Sequence, residues 1–147
     1  MKRVRLNLIT KEVRVEDWPN QRNIQLLNTV DFIMINEKYV GYKNRYAYGW
    51  VGIDYWRQTL VKKDLEDSLQ DKTWSRPSHY PGEVYFIPRP DGEDEDDGVI
   101  VTVVFDGEAE QSYLLLLDGK SFEEINHAYL PHNIPIAFHG NWFPNLH

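Results

Sequence analysis

Cysteine is absent from the 147-residue chain. That absence excludes disulfides, thiolate zinc sites and thiol nucleophiles, and it fits an intracellular protein without establishing one. Long apolar runs are lacking too. Nothing approaches the roughly 18 residues of a membrane span, and Met1-Lys2-Arg3-Val4-Arg5 has no signal-type apolar segment behind it. Positive charge is in the minority, with 16 Lys and Arg against 23 Asp and Glu. The resulting net charge of −7 argues against non-specific nucleic-acid binding. Helical spacing is scarce: only residues 121–125 read as one short turn, with Ser121 and Glu124 placed like a capping box.

What the chain does have is apolar and aromatic residues, 41% and 14% of the total, enough for one domain with a sizeable core. They fall in short alternating stretches. Residues 3–9 and 13–18 read as a hairpin turning at Thr10-Lys11-Glu12 and ending at Pro19-Asn20. Residues 21–29 read as loop or a short irregular piece. Residues 30–36, 46–52, 83–88, 99–105, 113–117 and 126–130 are strand candidates, residues 38–44 form a polar glycine-containing connection, and residues 58–64 and 71–74 form a second hairpin. Three hairpins resemble one another: Arg5-Leu-Asn-Leu to Trp18, Leu60-Val-Lys-Lys-Asp-Leu to Trp74, and Leu114-Leu-Leu-Leu-Asp-Gly to Tyr129. They recur about every 55 residues, with a further strand pair between them, which is the signature of four-stranded β-propeller blades.

Chemistry-bearing residues concentrate near the end, in Pro131-His132-Asn133-Ile134-Pro135-Ile136-Ala137-Phe138-His139-Gly140-Asn141-Trp142. The two prolines favour an extended approach, and Gly140 lets another group come close to the backbone. Taken alone, His139 reads as a strand-end histidine bonded to a carbonyl, because one imidazole is a poor metal signature. Its context changes that reading. Glu83-Val-Tyr-Phe-Ile-Pro-Arg-Pro90, the acidic turn ending Glu95-Asp96-Asp97-Gly98, Val99 to Phe105, Ser112 to Asp118 and Pro135 to Gly140 occur in series. This series resembles the C-terminal end of the carotenoid cleavage oxygenases, with the animal β-carotene oxygenases and retinoid isomerohydrolase nearest in appearance. The likeness runs from about Val30 to Trp142.

The resemblance implies an all-β fold of about two blades plus a hairpin, from the C-terminal part of a seven-bladed β-propeller. Residues 1–147 are then an incomplete portion of a single propeller domain. Since the family's chains are several times longer, a fragment or truncated gene model is expected, with an artificial or internal start. The implied activity of the parent is iron(II)-dependent oxidative cleavage of a carotenoid double bond by dioxygen, giving apocarotenal or retinal-type products. The fragment by itself is expected to be inactive, because three of the family's four histidine ligands have no counterpart here. The alternatives are a retinyl-ester isomerohydrolase on the same scaffold, or a non-catalytic β module or pseudo-enzyme remnant. A cytoplasmic location is expected, with a mitochondrial one left open, and any peripheral membrane contact would fall outside these residues.

On the same basis His139 matches the last iron ligand. Glu83 matches a family carboxylate expected to accept the ring proton of His139 at about 2.7–2.9 Å. Asp31 falls where the family has a glutamate in a Glu-x-Pro-x-x-Asn context, but it is one methylene shorter, and Ile33 stands in place of the proline. His79 and His127 read as surface residues, His132 as too near His139 to share an ion, and His147 as terminal. Residues 91–97 read as a solvated acidic turn in preference to a calcium loop. Tyr39, Tyr42, Tyr46, Tyr48 and Trp50 could line a polyene tunnel or pack between blades, and packing is the commoner use.

Overall fold

The computed structural model describes residues 2–17, 30–54, 57–135 and 139–143. The expectations for residues 18–29, for residues 136–138 of the terminal motif and for His147 lie outside the described residues. Alternation of aliphatic and charged residues makes the first hairpin, β1 (Lys2–Leu6) with β2 (Val13–Asp17). Val4 faces Val15 and Leu6 faces Val13, while Arg5 opposes Arg14 on the other side.

Next comes a four-stranded antiparallel sheet in the order β3 (Asp31–Met34), β4 (Tyr46–Asp54), β5 (Arg57–Asp64), β6 (Lys72–Trp74). A second antiparallel sheet holds β7 (His79–Pro81), β8 (Tyr85–Pro88), β9 (Gly98–Asp106), β10 (Gln111–Asp118) and β11 (Glu124–Tyr129). Its order is β11-β10-β9, with β7 and β8 both pairing along the far edge of β9. Two blades plus a hairpin is thus the observed architecture. The repeat seen in the sequence has a local cause. Asp64 and Asp118 each end a strand and Asn7 directly follows one, and each accepts from the amides two and three residues on, at 2.7–3.1 Å. A short side chain that caps its own turn closes all three hairpins in the same way.

Several local expectations are corrected. Residues 121–125 are not helical: Glu124 opens β11, and its carboxylate pairs with Arg76 and His127 instead of capping. Residues 37–39 form a single 3-10 turn that leads into the polar glycine-containing connection of residues 38–44. β7 escaped notice because it is a three-residue edge strand ending in proline. That strand takes His79 out of solvent. Its side chain is only 10% exposed, lies edge-on to Tyr113 and sits 3.7 Å from Asp106. His127 stays half-exposed, against Glu124 and the rings of Tyr113 and Tyr129.

The core lies between the two blades. Tyr48 and Leu60 of the first blade meet Val84, Phe86, Ile100, Val104, Tyr113, Leu115, Leu117 and Phe122 of the second. Tyr48 stacks on Phe86 at 5.2 Å, so the aromatics of β4 serve inter-blade packing. Each fully buried aliphatic side chain contributes roughly 1.5–3 kcal/mol. The acidic turn joins the same interface, which corrects its reading as a merely solvated loop. Glu95 accepts from the amides of Arg45 and Tyr46 at 2.7–2.8 Å, and its carbonyl accepts from Asn36. Asp96 holds the buried Lys62 ammonium at 2.5 Å.

Candidate functional site

Three separate pieces of chain meet around His139. From the second blade comes Glu83, in the loop leading into β8, together with Tyr85 at the start of that strand. From the first blade comes Phe32 in β3, whose ring stands edge-on to His139 at 5.5 Å and to Trp50 at 5.9 Å. The third piece is the terminal segment. Asn133 positions it by accepting from the Ser112 amide at 3.0 Å and donating to the Glu110 carbonyl, and the Ile134 amide donates to Ser112 Oγ.

The carboxylate of Glu83 is the hub. Its Oε2 accepts from Tyr85 Oη at 2.7 Å and from the Gly140 amide at 3.0 Å, and that amide also reaches Tyr85 Oη at 2.9 Å. Its Oε1 lies 3.5 Å from His139 Nδ1. This is longer than the 2.7–2.9 Å expected of a charge-assisted bond, because the two donors on Oε2 fix the carboxylate first. Gly140 matters for its lack of a side chain: a Cβ there would stand 3.1 Å from the Tyr85 hydroxyl oxygen.

Charge follows from these contacts. Burial pushes the Glu83 carboxyl up, but the bonds from Tyr85, Gly140 and His139 outweigh it and hold it below the ordinary carboxylate range. Burial and the bond to Glu83 push the Tyr85 hydroxyl up to about 12. At neutral pH Glu83 is therefore an anion and Tyr85 a donor. The side chain of Glu83 is 17% exposed, whereas that of His139 is 73% exposed. A carboxylate facing Nδ1 favours the tautomer that leaves Nε2 with its lone pair.

As a metal site the arrangement fits one ligand and no more. The donor is a neutral imidazole nitrogen backed by an acid, which suits iron. Among the described residues no group of three or more His, Cys, Asp or Glu could hold an ion. Asp31 lies one residue before Phe32 with its side chain exposed. His132 is exposed at the head of the terminal segment.

Beside His139 opens an apolar cavity of about 280 Å³, walled by Val101, Val103, Phe105 and Leu114 of the second blade and by Ile134 and Trp142 of the terminal segment. Sequence reasoning located His139, Glu83 and the freedom at Gly140, but it missed Tyr85, Phe32 and Asn133. Tyr85 follows Glu83 by two residues and so shares its side of an extended chain, a signal that could have found it. Phe32 has a φ of 52°, the left-handed region, at the irregularity between the Asp31 and Met34 pairings. No sequence signal marks an aromatic there.

The family described as Retinal pigment epithelial membrane protein matches residues 1–144. A carotenoid dioxygenase of Neurospora crassa is 41% identical over 114 residues, which are 76% of this chain and 18% of that protein. The chloroplastic carotenoid cleavage dioxygenase 8 of Arabidopsis thaliana is 38% identical over 117 residues, 78% of this chain and 20% of its own. The mitochondrial carotenoid-cleaving dioxygenase of Homo sapiens is 32% identical over 127 residues, 85% of this chain and 22% of its own. Fungal, plant and animal relatives all match, so the similarity supports the family without selecting its animal branch. A mutant of the Synechocystis apocarotenoid oxygenase superposes with a TM-score of 0.80 at 26% identity, over 97% of this chain and 29% of that one. A cobalt-substituted form of that enzyme gives 0.78, with the same identity and coverage. The chain thus spans about a fifth of the length of the curated relatives it matches. It belongs to the carotenoid oxygenase family, that of the retinal pigment epithelial membrane protein.

Proposed function

We propose that the chain is the C-terminal part of an iron(II)-dependent oxygenase that cleaves a carotenoid double bond with dioxygen and yields two carbonyl products. The observation that carries this reading is the Glu83 carboxylate held against Nδ1 of His139 in a member of this family. His139 is the proposed metal ligand through Nε2, and Glu83 fixes its ring. The relative solved in cobalt-substituted form supports a metal centre in the family. Bound iron(II) supplies dioxygen activation and the redox capacity for splitting the double bond. The remaining ligands come from the rest of the parent protein, and Asp31 is assigned to orient one of them. The apolar wall beside His139 suits a rigid hydrocarbon. Relatives are named as chloroplastic and mitochondrial, so family membership does not choose a compartment for this chain.

Product analysis tests the reading. The full-length parent, given β-carotene under air, is expected to yield two carbonyl fragments and to yield none without oxygen. Conversion of retinyl ester to an isomerised alcohol, with β-carotene untouched, would replace cleavage by isomerohydrolysis. Inertness toward both would leave a non-catalytic β module.

A further inference from the structure

We infer that Tyr85 is a positioning residue for His139, acting through Glu83. This deepens the proposed function, since it takes His139 to be the metal ligand. Three observations carry it. The Tyr85 hydroxyl both donates to Glu83 Oε2 at 2.7 Å and accepts from the Gly140 amide at 2.9 Å. The same Oε2 takes the Gly140 amide at 3.0 Å, so hydroxyl, carboxylate oxygen and amide form a closed triangle. The residue next in chain to Gly140 is His139, and the remaining oxygen, Oε1, is the one that faces its Nδ1.

A carboxylate on an arm of two methylenes rotates freely unless one oxygen is pinned. Two donors on Oε2 remove that rotation and point Oε1 at the ring. Because the Oε1 to Nδ1 separation is already 3.5 Å, a small rotation is enough to break the contact. The backbone amide adjoining the histidine is tied into the same triangle, so ring and carboxylate cannot drift apart independently. Phe32 closes the other side of the imidazole at 5.5 Å. Tyr85 thereby selects which nitrogen carries the proton and leaves Nε2 for the metal, without being a ligand itself.

Nitrogen-15 NMR of the metal-free chain at about pH 8.5, above the ordinary imidazole range, reads the tautomer directly. The native chain is expected to show mainly the Nδ1–H form at His139. Tyr85→Phe keeps the ring and removes only the hydroxyl, and the Nδ1–H to Nε2–H ratio should fall about fivefold, the worth of one ordinary hydrogen bond. Glu83→Gln should lower it comparably while leaving Tyr85 in place. An unchanged ratio in Tyr85→Phe, with the fold intact by near-ultraviolet circular dichroism, overturns the inference. Iron affinity of the full-length protein supplies the second arm, with about a tenfold loss expected for Tyr85→Phe. If the tautomer shifts but His139→Ala leaves iron affinity unchanged, positioning by Tyr85 stands and the metal reading fails.

Discussion

Lys62 and His139 are both basic side chains placed against acids, and they have opposite fates. Lys62, 4% exposed, has its ammonium surrounded: Asp96 at 2.5 Å, the Gly119 carbonyl at 2.7 Å, the Lys120 carbonyl at 3.1 Å and the Tyr46 ring at 4.2 Å. Desolvation lowers its proton affinity against the pull of Asp96, but no donor is left over. His139 is 73% exposed and, among the described residues, held on one nitrogen only. The comparison separates structural charge from chemical charge. A group with every partner satisfied fastens two blades together, while a group with one side fixed and the other free can bind something else.

The largest test of that contrast is to unpair the buried ion. Asp96→Ala leaves Lys62 uncompensated and should cost about 3–5 kcal/mol in urea unfolding, whereas exchanging both residues for leucine and methionine should be close to neutral. His139→Ala should change stability by about 0.5 kcal/mol or less, as at other exposed positions away from structural features. A comparable loss at both sites would erase the distinction. Truncating the inter-blade core comes next: Leu115→Ala should cost about 2–5 kcal/mol by the same measurement.

Acid should act on the turn caps before the core. The Ala109 amide and the Tyr129 hydroxyl hold Asp106 below the ordinary carboxylate range, and the Ser121 amide does the same for Asp118 against burial. A lowered carboxyl gives stability that is complete above the unfolded value and is lost as pH falls through the folded one. Thermal unfolding should therefore weaken below about pH 4, and Asp118→Asn should flatten that limb of the profile. A small effect of the opposite sign is expected at Tyr113, whose buried hydroxyl has no hydrogen-bond partner among the described residues. Tyr113→Phe should leave stability unchanged or raise it by about 1 kcal/mol, since it removes an unsatisfied polar group.

The fold was legible where local chemistry writes it. Alternation gave the hairpins, and Asn7, Asp64 and Asp118 at the strand ends gave the period because each side chain caps its own turn within four residues. Contacts that depend on distant pieces were not legible. Glu95 looked like one more charge in an acidic run, and only the approach of Arg45 and Tyr46 shows it as an inter-blade acceptor. His79 looked exposed because a three-residue edge strand leaves little pattern. At the site, His139 and Glu83 stood out through the ordered motifs around them. Tyr85 was within reach through its two-residue spacing from Glu83, whereas Phe32 became visible only once the chain was folded, since its left-handed backbone angle has no one-dimensional trace.

Iron content of the full-length protein is the most direct measurement. With His139 replaced by alanine, iron affinity should fall by more than about a hundredfold, and Glu83→Gln should give a loss between that and the roughly tenfold expected of Tyr85→Phe. Stoichiometric iron retained by His139→Ala would contradict the account, because the imidazole that this chain holds against Glu83 would then have no metal to bind.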